Sequence, residues 1–426
     1  MQDILFEYEM HPTTWVYVSA LMTIGIYFKF RRFWSVRNLD LIGLVAFAPG
    51  LLLVSHQQEQ LGFLWLFIVT GFFLVRLLLD PVMVRRPLLE PNLSASGLTF
   101  MGAALLVFLF ANVITNKVPS SIPSGTEQAQ AAHGNADAPG HPWFHAIVDF
   151  AREEVASDNG DRQDLSRRSL VRQATVRTAA IIAHLAVVIG MVMIGYWHFD
   201  NIHTGVAAAS LYLLLPYTAQ MTGHVDHVVP AALLTWAVAA YRRPLAAGVL
   251  IALAAGTIFY PWFLLPLWLG FYWRRGLVRF SIGVTAALLV LVISLMFAAT
   301  ESAPLSTQLQ EMFGCTSLLP RNMSGFWEDH DTAFRIPVLA AYVALCASLA
   351  LWPAHKNLGT LLSCSAVVMV AAQFWHATGG GLFMAWYLPL LILTIFRPNL
   401  EDRVALTALT TGWIPWRKPI AGMEGG

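Results

Sequence analysis

Residues 215–279 read LPYTAQMTGHVDHVVPAALLTWAVAAYRRPLAAGVLIALAAGTIFYPWFLLPLWLGFYWRRGLVR, and this stretch decides the fold. An apolar helix ends at Pro216-Tyr217, and a short polar turn follows, Gly223-His224-Val225-Asp226-His227. A second apolar helix stops at Tyr241-Arg242-Arg243-Pro244. A hydrophobic hairpin then bends at Tyr260-Pro261 and closes at Arg274-Arg275. Two histidines and a carboxylate thus stand at one helix mouth, while arginines mark the opposite ends of the neighbouring helices. One end of the bundle carries chemistry, and the other carries anchoring charge.

The same pattern fills the chain. Of its 426 residues, 57% are hydrophobic and only 12% charged, where a soluble domain carries roughly 25% charged. Apolar segments recur near 13–30, 39–55, 61–79, 97–115, 178–197, 205–220, 228–241, 245–259, 261–273, 280–299, 336–353, 357–375 and 381–396. Runs of about 17–22 such residues cross a hydrocarbon core. The expected fold is all-α, a polytopic transmembrane helical bundle of about 12–13 passes. The two segments flanking Tyr260-Pro261 alternatively form one bent or re-entrant element, because proline removes a helix hydrogen bond there. Three regions follow: N-terminal transmembrane helices over 1–115, an outer loop with an amphipathic helix over 116–177, and a transmembrane core over 178–426 with a second outer loop at 300–335. The first apolar run lacks the basic leader of a signal peptide and is followed by Arg31-Arg32, so it reads as a retained helix.

Basic residues orient the bundle. Arg31, Arg32 and Arg37 follow the first segment, Arg85 and Arg86 the third, and Arg242 and Arg243 the seventh. Arg274, Arg275 and Arg279 follow the ninth, Lys356 the eleventh, and Arg397 and Arg403 the last. With thirteen passes, all of them fall on one side, which the positive-inside rule makes cytoplasmic. The formal net charge of +1 lies in loops and points to no nucleic-acid partner. Cys315, Cys346 and Cys364 have neither metal nor disulfide spacing, and the latter two read as apolar filler within helices. A Walker motif and a nucleotide-binding glycine loop are absent from the sequence, which argues against an ATP-driven pump.

The outer side receives the two long loops and the turns His56–Gln60, Gly223–His227 and His376–Gly381. In the first loop, Phe144, Ile147, Val148, Ala151 and Val155 share one helical face opposite His145, Asp149, Arg152 and Glu153. Such a helix lies flat at the membrane interface or packs on the protein's own outer surface. Arg162, Arg167, Arg168, Arg172 and Arg177 break the charge rule. They either meet anionic headgroups or grip phosphate oxygens in the bidentate manner of guanidinium.

His224, Asp226 and His227 form the sharpest cluster. Ionisable groups in an apolar chain are costly and commonly functional, although Asp226 equally suits a helix cap. Histidine can orient a carboxylate or share a metal with it; no metal ligand is assigned, and a divalent metal is compatible with the set. Glu328, Asp329 and His330 in the second loop would bring further acids over the same mouth, or form an ordinary solvated loop. His376 precedes Gly379-Gly380-Gly381 at the start of the last segment, and His184 reads as a satisfied core histidine. Trp15, Trp197, Trp327 and Trp375 read as interfacial anchors.

Pro216, Gly223-His224-Val225-Asp226, Arg242-Arg243, the small-residue helix Ala246–Gly256, Tyr260-Pro261 with Pro266, and Arg274-Arg275 together resemble the integral-membrane GT-C superfamily of glycosyltransferases, nearest its bacterial mannosyltransferase-like branch. Trp386-Tyr387-Leu388-Pro389-Leu390 resembles that family's closing helix. The clear likeness covers about 65 residues, from Leu215 to Arg279. It implies an enzyme of the bacterial cytoplasmic membrane that moves a sugar from a polyprenyl-phosphate donor to a lipid or glycan acceptor on the outer face. An acid in the first large outer loop would be the base on the acceptor hydroxyl, which makes Asp137 or Asp149 the positional counterparts. Basic residues such as Arg167 and Arg168 would hold the phosphate. The chain departs from the family in placing that loop after the fourth segment, and in having Thr257, Ile258 and Phe259 where a lysine often precedes the proline bend. A transporter or lipid flippase, and a non-catalytic membrane scaffold, are the alternatives from other classes.

Overall fold

The computed structural model describes residues 12–56, 58–83, 89–115, 162–273, 276–298, 304–315, 323–353 and 356–398, with side chains of the first and fifth helices described from Thr13 and Gln173. Among the described residues the chain is all-α, with fifteen helices and one isolated backbone bridge between Ser324 and Thr378. In order these are α1 Pro12–Tyr27, α2 Val36–Ser55, α3 Glu59–Leu78, α4 Ala95–Thr115, α5 Arg162–His198, α6 Ile202–Leu214, α7 Pro216–Gln220 and α8 Val225–Ala239. They continue as α9 Pro244–Thr257, α10 Leu265–Tyr272, α11 Leu277–Ala298, α12 Leu305–Met312, α13 Arg335–Leu351, α14 Leu358–Trp375 and α15 Leu388–Phe396. Each of the thirteen apolar segments holds a helix; the segment 205–220 holds both α6 and the short α7, and the short α12 lies between segments.

Among the described residues, seven helices are long and apolar enough to cross a membrane: Val36–Ser55, Glu59–Val82, Ala95–Thr115, Gln173–His198, Leu277–Phe297, Thr332–Leu351 and Leu358–Trp375. By that measure the chain is a multi-pass membrane protein, and large side chains such as Phe100, Val107, Leu289 and Phe297 stand exposed on the flanks of α4 and α11. The remaining segments are shorter than a full pass. Pro216 and Gly223 interrupt the chain between α6 and α8, and a 3₁₀ turn over Tyr260–Leu264 separates α9 from α10. A second 3₁₀ turn, Met384–Trp386, precedes the nine residues of α15.

Short helices lead into and out of the Gly223–His227 turn. At 1.5 Å per residue, α6, α8 and α9 extend roughly 20–23 Å, less than the ~30 Å hydrocarbon core. The arginine-side end of α8 is pinned to α10 and to α5. Tyr272 Oη donates to Tyr241 O at 2.5 Å, and His198 Nε2 donates to Ala239 O at 2.7 Å. At the other end of α8, Thr222, Val225 and His227 of the turn are buried. His184, midway along α5, lies 3.3 Å from Thr222 O through its Nε2.

Close helix approach depends on small residues. At the α5–α6 crossing, a Cβ on Gly205 would stand 2.8 Å from Val192 O and 2.9 Å from Val192 Cα.

The arginine-bearing end holds a buried ion network. Arg76 of α3 makes a bidentate pair with Asp40 of α2, at 2.8 and 3.0 Å, and a further bond to Asp80 at 3.0 Å. Arg397, just after α15, bonds to the other Asp80 oxygen at 2.5 Å. Guanidinium forks satisfy both carboxylates, which is how charges survive burial. The first and last transmembrane regions are thereby tied at one end.

At the opposite end the second outer loop is docked on the turn after α14. Ser324 N donates to Ala377 O and Gly379 N to Ser324 O, each at 3.2 Å, while Trp327 Nε1 donates to Phe374 O at 3.0 Å. Two sequence expectations are corrected here. Helix α5 starts at Arg162, inside the segment read as outer loop, because its polar and basic residues continue one helix outward. Of the four tryptophans read as interfacial anchors, Trp15, Trp327 and Trp375 are buried within the protein, and only Trp197 is exposed. Cys346 and Cys364 are buried helix residues, as their apolar surroundings implied, and Cys315 is exposed.

Candidate functional site

The Gly223–His227 turn is held by its main chain from three sides. Asn112 Nδ2 of α4 donates to Ala219 O at 2.8 Å, His184 of α5 reaches Thr222 O, and Trp386 Nε1 donates to Asp226 O at 3.2 Å. His184 Nδ1 also lies 3.0 Å from Tyr212 Oη, so this core histidine is satisfied at both nitrogens. The turn is a rigid platform rather than a slack loop.

Three ionisable side chains stand on it. His224 is the residue before the first turn of α8 and makes no capping bond; Asp226 lies in that first turn. A carboxylate there suits the positive end of the helix. Asp226 is partly open, with a side chain 26% exposed, and its Oδ2 lies 3.8 Å from Nε2 of the buried His227. The His224 and His227 ring centroids are 5.0 Å apart. One ligand atom from each of the three residues falls within 4.8 Å of the others. His227 is steered from behind, its Nδ1 lying 2.7 Å from Tyr217 Oη, which also accepts the Ala385 amide at 3.1 Å. A hydroxyl both donates and accepts, so the pair holds with either imidazole tautomer.

His376 approaches the same place from the C-terminal half. Phe383 packs between the two imidazoles, 4.7 Å from the ring of His227 and 4.7 Å from that of His376. Nδ1 of His376 lies 2.6 Å from Tyr260 Oη in the 3₁₀ bend, and Nε2 lies 3.3 Å from Thr378 Oγ1. Burial, with the nearby positive charge of Arg335, pushes the His376 imidazole down to about 3. Arg335 is itself buried at the start of α13 and donates to Trp375 O at 2.9 Å. A neutral imidazole, two phenols and a guanidinium thus stand beside the His-Asp-His turn.

The other sequence candidates fall elsewhere. Glu328, Asp329 and His330 are exposed. Asp329 bonds to Gln60, and His330 Nδ1 lies 2.9 Å from Phe326 O with its ring stacked on Phe326. Their contacts lead to α3 and to their own loop, not to His224. Arg167 and Arg168 ride on the outward extension of α5, with side chains outside the described residues, as is the whole of Asp149 and its amphipathic helix.

Sequence reasoning missed Tyr217, Tyr260, Phe383, Trp386 and Arg335. For Arg335 a signal existed, since an arginine opening a segment at the end read as outer breaks the charge rule. Comparisons with protein-family models, with curated proteins and with solved structures return no match to this chain.

Proposed function

We propose that the protein is a GT-C-like glycosyltransferase of the bacterial cytoplasmic membrane, moving a sugar from a polyprenyl-phosphate donor to a lipid or glycan acceptor on the outer face. One observation carries this reading: a partly open carboxylate and two imidazoles gather where short helices meet, opposite the arginine-bearing end. A lipid-linked sugar carries its reactive phosphate at the membrane surface and its chain in the bilayer. Irregular backbone at membrane depth is tolerated where it is buried in protein or lines a polar space, and the 3₁₀ turns at Tyr260–Leu264 and Met384–Trp386 flank the turn.

In this reading Asp226, with His224 and His227, forms the active mouth. Asp149 remains the candidate base on the acceptor hydroxyl, and Arg167 and Arg168 the candidate phosphate ligands. Positive charge near the leaving phosphate stabilises the charge that develops there. A transport path has less support, because buried Leu234, Ala237, Ile251, Val368, Leu391 and Ile392 lie between the turn and the ion network, interleaved with the hydroxyls of Thr235, Ser365 and Thr394 rather than with charges. Intramembrane transport sites usually continue as polar side chains through the midplane.

The test is transfer by the purified full chain in proteoliposomes, supplied with a panel of short-chain polyprenyl-phosphate sugars. Transfer by wild type that falls at least about 100-fold in Asp226→Asn, the scale of one general acid–base contribution, supports the reading. Equal transfer in wild type, Asp226→Asn and His227→Ala would remove the site.

A further inference from the structure

We infer that His224, Asp226 and His227 form a binding site for one divalent transition-metal ion of the zinc class. The sequence suggested only compatibility with a metal; the structure brings one donor atom of each residue together. His227 is more than nine-tenths buried, and its Nε2 faces Asp226 Oδ2 at 3.8 Å. That separation is too long for a hydrogen bond. It is close to the spacing of two ligands on one ion, since donors 2.0–2.2 Å from a tetrahedral zinc stand roughly 3.3–3.5 Å apart. The third donor comes from His224, and all three atoms already lie within 4.8 Å. Side-chain rotation of about an ångström closes the set without moving the backbone.

The surroundings fit this role. Metal-bound histidine usually gives its other ring nitrogen to a fixed partner, and His227 Nδ1 has Tyr217 Oη at 2.7 Å. The Tyr217 oxygen has lone pairs for both the Ala385 amide and an Nδ1–H, the tautomer that a metal at Nε2 requires. Trp386 fixes the main chain of Asp226. Two imidazoles with one carboxylate suit zinc, cobalt or manganese, whereas magnesium and calcium take oxygen donors. Three protein ligands leave a position for water or a phosphate oxygen. Occupation of that position by the donor phosphate rests on the transferase reading; metal binding itself does not.

The experiment uses the full chain in detergent, stripped with a chelator and titrated with zinc or cobalt, with bound metal counted by elemental analysis and the cobalt site read by its visible absorption. The expected result is one ion per wild-type chain, no competition from millimolar magnesium, and affinity lowered about tenfold or more in His224→Ala and Asp226→Asn. His330→Ala, at an exposed histidine away from the turn, should bind as wild type. Thermal unfolding of the metal-free variants verifies that each is folded, and the partly exposed His224 makes His224→Ala the deciding one. Substoichiometric binding in wild type, or equal binding in wild type, His224→Ala and Asp226→Asn, would overturn the site. Metal binding without sugar transfer would leave the site standing and remove the transferase reading; transfer without metal binding would do the reverse.

Discussion

Tyr260 and His376 stand 116 positions apart in the chain and share a 2.6 Å hydrogen bond between the phenolic oxygen and Nδ1. The bond joins the bend after α9 to the turn after α14, and both groups are buried. Tyr260→Phe keeps the ring and leaves the imidazole nitrogen without its partner, at a cost of about 1–3 kcal/mol. Denaturant unfolding of the purified protein should show that loss, with the spectrum of the folded state unchanged.

The same histidine sets a pH dependence. Its imidazole titrates near 6.5 when exposed and is held down to about 3 in the folded protein. Between those values the unfolded chain binds the extra proton, so stability falls as pH drops below about 6.5 and keeps falling towards 3. From pH 7.5 to 5.0 this one group should remove about 1–2 kcal/mol. Thermal unfolding at the two pH values should show a smaller difference in His376→Gln than in wild type.

The ion network should respond as a unit. Asp80 serves Arg76 at 3.0 Å and Arg397 at 2.5 Å, and all three are buried. Asp80→Asn takes the paired carboxylate from Arg397 and leaves Arg76 with Asp40 alone, and removing one partner of a buried pair costs about 3–5 kcal/mol. Combining Asp80→Asn with Arg397→Gln should cost clearly less than the sum of the single changes, because the second removes a charge the first has orphaned. Additive losses would mean that Asp80 and Arg397 do not act together.

Packing offers a separate check. A methyl group on Gly205 would press on the Val192 backbone at under 3 Å, which forces α5 and α6 apart. Gly205→Ala should therefore destabilise by about 1–3 kcal/mol, although alanine is the better helix former. Gly25 has open space around it, so Gly25→Ala should be neutral or slightly stabilising. Thermal unfolding of the two variants side by side reads the contrast.

Much of the fold was legible because membrane helices announce themselves locally. Apolar runs, prolines and arginine ends place a helix in each of the thirteen segments and group the arginines at one end. The turn at His224, Asp226 and His227 was legible for the same reason, as a polar interruption between apolar stretches. Helix length was less legible, since composition does not say that α6, α8 and α9 end after 13–15 residues. The partners were hidden altogether. Arg397 meets Asp80 across 317 positions, and Trp386 reaches Asp226 across 160. No periodicity encodes such pairings. The exposed acids Glu328 and Asp329 misled because a loop's composition gives its polarity and not its direction.

Side-specific labelling of a single cysteine tests most directly whether the His-Asp-His turn opens opposite the arginine-bearing end. With Cys315→Ser removing the exposed thiol and Cys346 and Cys364 buried, His224→Cys and Arg242→Cys each place one new thiol at opposite ends of α8. A membrane-impermeant maleimide added outside intact cells should modify His224→Cys, and should reach Arg242→Cys only after the membrane is opened. Modification of Arg242→Cys from outside, with His224→Cys protected until permeabilisation, would contradict the account.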